Sequence, residues 1–265
     1  MTQASTYVLI PGAWHGAWSW RPVAERLRAA GHRAITLTLP GLNDGDDPSG
    51  YELQDAVDHI VNTVRRLEQD PELESVILVA HSWGGFPTTG AAALLGGRVS
   101  KIIYYNAHVP ARGRALVDEN QRAQRLSTLR SIRESPVGAV AQTLRYVQTD
   151  LMQDVAPELQ RLVADLMSPQ PGGYFLGALD IDAASLGIPA AYIAGDSDQA
   201  MPRPLDEFAG RLGVQPIVVP GTHNGLLTHP EEVATAILAA WPTVSHSVGT
   251  TAQTDTAREP PPPET

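Results

Sequence analysis

Residues 76–85, Val-Ile-Leu-Val-Ala-His-Ser-Trp-Gly-Gly, constrain this chain more than any other stretch. Four apolar residues of strand character lead towards Ser82, and a run of small residues, 84–96, follows with helical character. A serine between a buried strand and a helix sits on a sharp, strained turn, a nucleophile elbow that presents its hydroxyl. The turn needs small residues two before and two after the serine, because the backbone folds back on itself there. Gly84 meets the second requirement. At the first, usually glycine, stands Ala80, which is still small enough for the turn to form.

The rest of the chain alternates in the same way. Residues 7–10 form a short apolar strand stopped by Pro11-Gly12. Val23, Leu27 and Ala30 give 21–30 a helical spacing closed by Gly31. A second strand is expected over 34–39, a loop over 43–48, and a helix over 53–67 with Ala56, Ile60, Val61 and Val64 on one face. After the elbow strand, 75–80, further strands are expected at 99–105, 190–194 and 216–219. Helices are expected at 205–212 and 230–240, the latter with proline in its first turn. This alternation predicts an α/β fold with a mostly parallel central sheet flanked by helices.

One stretch breaks the pattern. Residues 112–182 carry no strand signal but three helical periods: Leu126, Leu129 and Ile132; then Val140, Leu144, Val147 and Leu151; then Leu159, Leu162, Val163 and Leu166. A helical insertion that begins beyond a strand ending near Tyr105 is expected to form a lid over the edge of the sheet where ligands bind. The expected organisation is a core of 1–110 and 183–242, a helical lid of 111–182 and a disordered tail of 243–265. The tail is polar and ends in a proline run, so it has little apolar surface to bury.

Composition removes several function classes. The 265-residue chain contains no cysteine, which rules out disulfides, thiolate metal sites and a thiol nucleophile. Its net charge of −10 disfavours nucleic acid and anionic membranes as partners. No apolar run is long enough to span a bilayer. Residues 1–6 lack a basic region, so a cytoplasmic location without a signal peptide is expected. The acidic loop Asp44-Gly45-Asp46-Asp47 lacks the glutamate that would complete a calcium loop, so no metal and no cofactor are expected.

A serine hydroxyl becomes a useful nucleophile only when a base takes its proton. On folds with this elbow the chain order is serine, acid, histidine. His223 lies in Pro220-Gly221-Thr222-His223-Asn224-Gly225, directly after the last strand, where a histidine can reach back over the sheet edge. The acid belongs to the preceding strand's loop, Gly195-Asp196-Ser197-Asp198, and both aspartates qualify by position. The Gly-x-x-Asp spacing with proline four residues later favours Asp198, leaving Asp196 to cap the turn. The developing oxyanion needs backbone donors, expected from Trp83 and from Ala13 in the loop after the first strand. His108 at the mouth of the insertion and Trp14 are the candidate pocket residues, although Trp14, Trp18, Trp20 and Trp83 also read as core.

The stretch 12–18, the elbow and the Gly-Thr-His loop together resemble the α/β-hydrolase superfamily. More narrowly, they resemble the plant methylesterase, methylketone synthase and hydroxynitrile lyase group with its bacterial relatives, across residues 7–241. The resemblance implies an α/β-hydrolase fold and a serine hydrolase with catalytic residues Ser82, Asp198 and His223. It departs at Pro11, where members often carry histidine, and at Ala13 and Asn224, where hydroxynitrile lyases carry threonine and lysine. Without that lysine a cyanide leaving group has no cationic partner. The expected activity is cleavage of a carboxylic ester, or a lactone, of a small apolar substrate through an acyl-enzyme. A decarboxylase, cyclase or lyase using the same site, and a small-ligand receptor, are the alternatives. The oligomeric state is open.

Overall fold

The computed structural model of the chain describes residues 4–71, 73 and 75–240. The first half runs β1 (Thr6–Ile10), α1 (Arg21–Ala29), β2 (Arg33–Thr36), α2 (Leu53–Leu67), β3 (Val76–His81), α3 (Gly85–Leu95) and β4 (Val99–Tyr105). The chain then leaves the sheet for α4 (Leu116–Glu119), α5 (Arg122–Glu134), β5 (Ala139–Val140) and α6 (Leu144–Tyr146). A π-helical turn over Val147–Leu151, α7 (Pro157–Leu166), β6 (Gln170–Pro171) and α8 (Gly172–Leu176) complete the excursion. It returns for β7 (Ala190–Gly195), α9 (Leu205–Gly210), β8 (Ile217–Val219), α10 (Gly225–Thr228) and α11 (Pro230–Ala239).

The main sheet has six strands in the order β2-β1-β3-β4-β7-β8, and every pairing in it is parallel. Successive side chains in a strand point to opposite faces, and the core divides accordingly. Val8, Ile10, Leu78, Ala80, Ile102, Tyr104, Tyr192 and Ala194 pack with α2, α3 and α9 on one face. Tyr7, Leu9, Ile77, Val79, Ile103, Tyr105, Ala191 and Ile193 pack with α1 and α11 on the other. Burial on both sides explains why the central strands read as unbroken apolar runs rather than alternating ones. Each fully buried aliphatic side chain contributes about 1.5–3 kcal/mol to this assembly.

A parallel sheet brings the carboxyl ends of its strands to one edge. The loops after β1, β3, β4, β7 and β8 therefore meet, carrying Ala13, Ser82, His108, Asp198 and His223 respectively. No helix among the described residues is long and apolar enough to cross a membrane.

The excursion between β4 and β7 differs from expectation in three ways. It contains a strand pair, β5 with β6, antiparallel in the register Ala139↔Pro171 and Val140↔Gln170. Strands of two residues show no periodicity: Val140 shares the helical spacing of Leu144, Val147 and Leu151 but lies in β5, and the helix begins only at Leu144. The leucines that mark the helices also do not all face inwards: Leu126 is 56% exposed and Leu162 55%. Apolar spacing reveals a helix but not what covers its face. Finally, the base of the excursion is closed on itself. Gly113 N–H donates to Leu179 O at 2.7 Å, and Ala115 bridges Ala178 in antiparallel fashion. The tail expected over 243–265 lies outside the described residues.

Candidate active site

Ser82 adopts φ +52°, the left-handed conformation that costs a non-glycine residue about 1–3 kcal/mol. The turn is held by the next strand: Ser82 N–H donates to Asn106 O at 3.1 Å, and Ser82 O accepts from His108 N–H at 3.0 Å. Three glycines make room for it. A Cβ on Gly84 would lie 2.5 Å from Pro11 O, one on Gly85 would collide with His108 O, and one on Gly12 would stand 2.7 Å from the Ser82 Cβ. Ala80 lies within β3, paired with Tyr104 and fully buried in the core, so its methyl group fills space that the fold already has.

His223 stands in the loop after β8, and its Nδ1–H donates to Asp198 Oδ2 at 2.8 Å. The other carboxylate oxygen accepts from Ala200 N–H at 2.8 Å, and both side chains are almost fully enclosed. A carboxylate at Nδ1 fixes the neutral imidazole with its proton there and leaves Nε2 as the basic nitrogen. Asp196 does something else: it accepts from Gly221 N–H at 3.2 Å and Ser197 Oγ–H at 2.9 Å, tying the two loops together.

Two buried residues that the sequence reading left aside position this pair. Asn106, at φ +43°, receives Gly195 N–H on its Oδ1 at 2.7 Å and donates from Nδ2 to Thr222 O at 3.2 Å and His223 O at 3.1 Å. One side chain thus links the acid loop to the histidine loop, while its own carbonyl holds Ser82. The signal was an asparagine at a strand end, a residue type that tolerates left-handed backbone. His81 donates from Nε2 to the same His223 carbonyl at 3.0 Å, and its ring lies 4.7 Å from the His223 ring. Burial, reinforced by His223 and His15, pushes the His81 imidazole well below its ordinary value, so it stays neutral.

The loop carrying Ala13 is braced from both sides. His15 Nδ1–H donates to Ala13 O at 2.6 Å, while His15 Nε2 accepts from Asn224 Nδ2 at 3.2 Å. Burial pushes His15 down to about 4, against the Ala13 carbonyl and with help from His223. Trp14, at φ +66°, donates its N–H to Gln170 Oε1 at 2.9 Å and its indole Nε1–H to Val140 O at 2.8 Å, and accepts Ser168 N–H at 3.0 Å. The excursion therefore grips this loop directly. It also grips the histidine loop: Asn224 N–H donates to Leu151 O at 3.0 Å and Thr222 Oγ1–H to Asp154 Oδ1 at 3.1 Å.

Ala13, Trp14, Ser82, Trp83, His108 and His223 line one cavity, with Asp198 behind His223. Leu116, Asn120, Gln124, Thr128, Val140, Tyr146, Leu151, Phe175 and Ala200 complete the lining. The cavity holds about 70 Å³ of solvent-accessible space, room for roughly five waters at about 10–15 Å³ each. None of these lining residues is Asp, Glu, Lys or Arg. Trp83 is anchored by its Nε1–H to Tyr174 O at 2.9 Å and by stacking on Tyr174. The pieces assembled here are a strained serine, a carboxylate-oriented imidazole, nearby backbone amides and an uncharged chamber, a set able to carry acyl transfer.

Comparison with known proteins bears on the family. Residues 7–236 match the family described as the alpha/beta hydrolase family. A carbendazim-hydrolysing esterase from Nocardioides sp. is 30% identical over 89% of this chain and 99% of its own length. Methylesterase 18 of Arabidopsis thaliana is 26% identical over 88% of this chain and 96% of its own. A solved extracellular alpha/beta-hydrolase from a Paenibacillus species superposes with a TM-score of 0.82 at 21% identity, covering 89% of this chain and 98% of its own. With a family match along almost all of its described length, the chain belongs to the alpha/beta hydrolase family.

Proposed function

We propose that the protein hydrolyses a carboxylic ester of a small, uncharged substrate through an acyl-enzyme on Ser82. The observation that carries this reading is the His223–Asp198 pair sharing an uncharged cavity with the strained Ser82. Ser82 Oγ attacks the ester carbonyl carbon while His223 Nε2 accepts its proton. Asp198 holds the imidazolium that forms and keeps it aligned. The Ala13 and Trp83 backbone amides receive the negative oxygen, Gly12 allowing the first loop to approach closely. The tetrahedral intermediate collapses, and His223 returns the proton to the departing alcohol. Water then attacks the acyl-enzyme by the same route in reverse, releasing the acid.

Esterase relatives along nearly the whole chain support ester cleavage over the rival chemistries. At the position where a lyase carries its cation stands Asn224, uncharged and engaged with His15. The direct test is Ser82→Ala against a panel of p-nitrophenyl and methyl esters. Turnover should fall about 10⁴- to 10⁶-fold with the circular dichroism spectrum unchanged. A variant that keeps most of its activity overturns the serine mechanism.

A further inference from the structure

The mechanism leaves one wall of the cavity unused, and that wall is polar. His108 is 6% exposed, lines the cavity, and has its Nδ1 buried without a hydrogen-bond partner. Its ring packs between Phe86 and Phe208, with centroids 6.0 and 5.3 Å away. Burial, together with His223, Arg211 and Arg203 and against Asp198, pushes it down to about 3. It is therefore a neutral imidazole, able to donate one hydrogen bond and accept another. Asn120, Gln124 and Thr128 line the same cavity; Gln124 and Thr128 lie one turn apart on α5, and Asn120 stands two residues before it. Among the described residues, none of these three spends its side chain on a hydrogen bond to the protein.

A purely hydrocarbon substrate would leave the buried His108 unmatched and would cover the half-buried Asn120 and Thr128 without a partner, which weakens binding. A charged substrate would meet no counter-charge in the lining. We propose that His108 with Asn120, Gln124 and Thr128 forms a hydrogen-bonding subsite for the non-reacting part of the substrate. It selects esters that carry a neutral heteroatom group: an ether, a hydroxyl or an amide. This rests on Ser82-dependent ester hydrolysis in the same cavity and narrows the uncharged substrate proposed above to one that is polar on one side, where the sequence alone led to an apolar one.

Matched esters differing by one oxygen test it. On the acyl side the pair is p-nitrophenyl 3-methoxypropanoate and p-nitrophenyl pentanoate. On the alcohol side it is 2-methoxyethyl benzoate and butyl benzoate. Each kcat/KM is divided by the hydroxide-catalysed rate to remove inductive effects. The ether should be preferred about tenfold in at least one pair, the worth of one net hydrogen bond. His108→Phe, or the double variant Asn120→Leu with Thr128→Val, should erase that preference. Hydrocarbon esters preferred in both pairs, or an ether preference that survives both variants, overturns the subsite. Calorimetric binding of the same esters to Ser82→Ala reads the preference without turnover. Esters that bind with the ether preference but are never hydrolysed sink the serine-esterase reading and leave the subsite standing. Esters hydrolysed through Ser82 with no preference do the reverse.

Discussion

Two helices adjoin the cavity, one following Ser82 and Trp83 and one contributing to the lining, and they could hardly be packed more differently. Helix α3 behind Ser82 buries Gly85, Phe86, Pro87, Thr88, Thr89, Gly90, Ala91, Ala92 and Leu95. Helix α5, whose Gln124 and Thr128 line the cavity, has no buried residue at all. The first is apolar or small on every side and sits in the core; the second touches it only through partly buried Leu129 and Ile132. Acyl transfer needs atoms held to within a fraction of an ångström, so the serine is set on the immobile element. Recognition of a substrate's far end tolerates adjustment, so the polar wall is set on the loosely attached one. The comparison implies that changes on the floor register in kcat and changes on the polar wall register in KM.

The largest expected effect lies on the floor. Asp198→Asn should lower kcat about 10⁴-fold, because an amide at His223 Nδ1 stabilises the wrong tautomer. Asp196→Asn keeps an acceptor for Gly221 N–H and should stay within about tenfold of wild type. Parallel kinetics on the two variants would break the floor's assignment if Asp196 proved the costly one.

The next effect concerns how the polar wall is attached. Glu119, whose side chain is fully enclosed just before α5, pairs with Arg203 at 2.9 Å, Arg211 at 3.0 Å and Arg114 at 3.4 Å. Burial raises its carboxyl, but the Arg211 hydrogen bonds and charge, with Arg203 and Arg114, outweigh this and hold it below its ordinary range. Glu119→Gln should cost about 3 kcal/mol of stability by urea unfolding. It should raise KM several-fold more than it lowers kcat. An equal loss in both would mean that α5 and the floor move as one body.

The last test sharpens the comparison through pH, and its readout, one histidine's share of an acid slope, is the smallest of the three. Burial holds His15 and His108 down to about 4 and about 3, and His81 well below its ordinary value. Between pH 6.5 and about 4, His15 and His108 bind a proton when unfolded but not when folded, and His81 acts in the same direction. Stability is therefore complete above pH 6.5 and falls on acidification, by about 1.4 kcal/mol per pH unit for each histidine. Urea midpoints at pH 7, 6 and 5 should show this slope, and His108→Phe should reduce it by one histidine's share. An unchanged slope would mean that His108 is charged in the folded protein.

The floor was legible in the sequence because each of its parts is local. The apolar run before Ser82, the small residues after it, and the glycine-bearing loops at residues 12 and 221 each announce a turn chemistry within a few positions. Parallel topology then brings the loops together without further information. Less legible was everything that depends on partners distant in the chain. The meeting of Asn106 with Gly195 and His223 spans more than the whole excursion, and nothing near Asn106 signals it. The β5–β6 pair is too short for a period to show. Leu126 and Leu162 follow a helical spacing that cannot say whether the core or the solvent lies opposite.

The closed base of the excursion, Gly113 against Leu179 and Ala115 against Ala178, gives this architecture an evolutionary handle. A segment whose ends are already bonded to each other can be replaced by another of different length without parting the strands beneath it. Loop-closure entropy grows only slowly with length, so lengthening the segment adds little cost. A replacement must reproduce the contacts that Gln170, Val140 and Ser168 make with Trp14, those that Leu151 and Asp154 make with the histidine loop, the seat of Trp83 on Tyr174 and the pairing of Glu119 with Arg203 and Arg211. Residues 115–178 thus form a cassette, in which substrate preference can diversify by exchange while the machinery below is inherited intact.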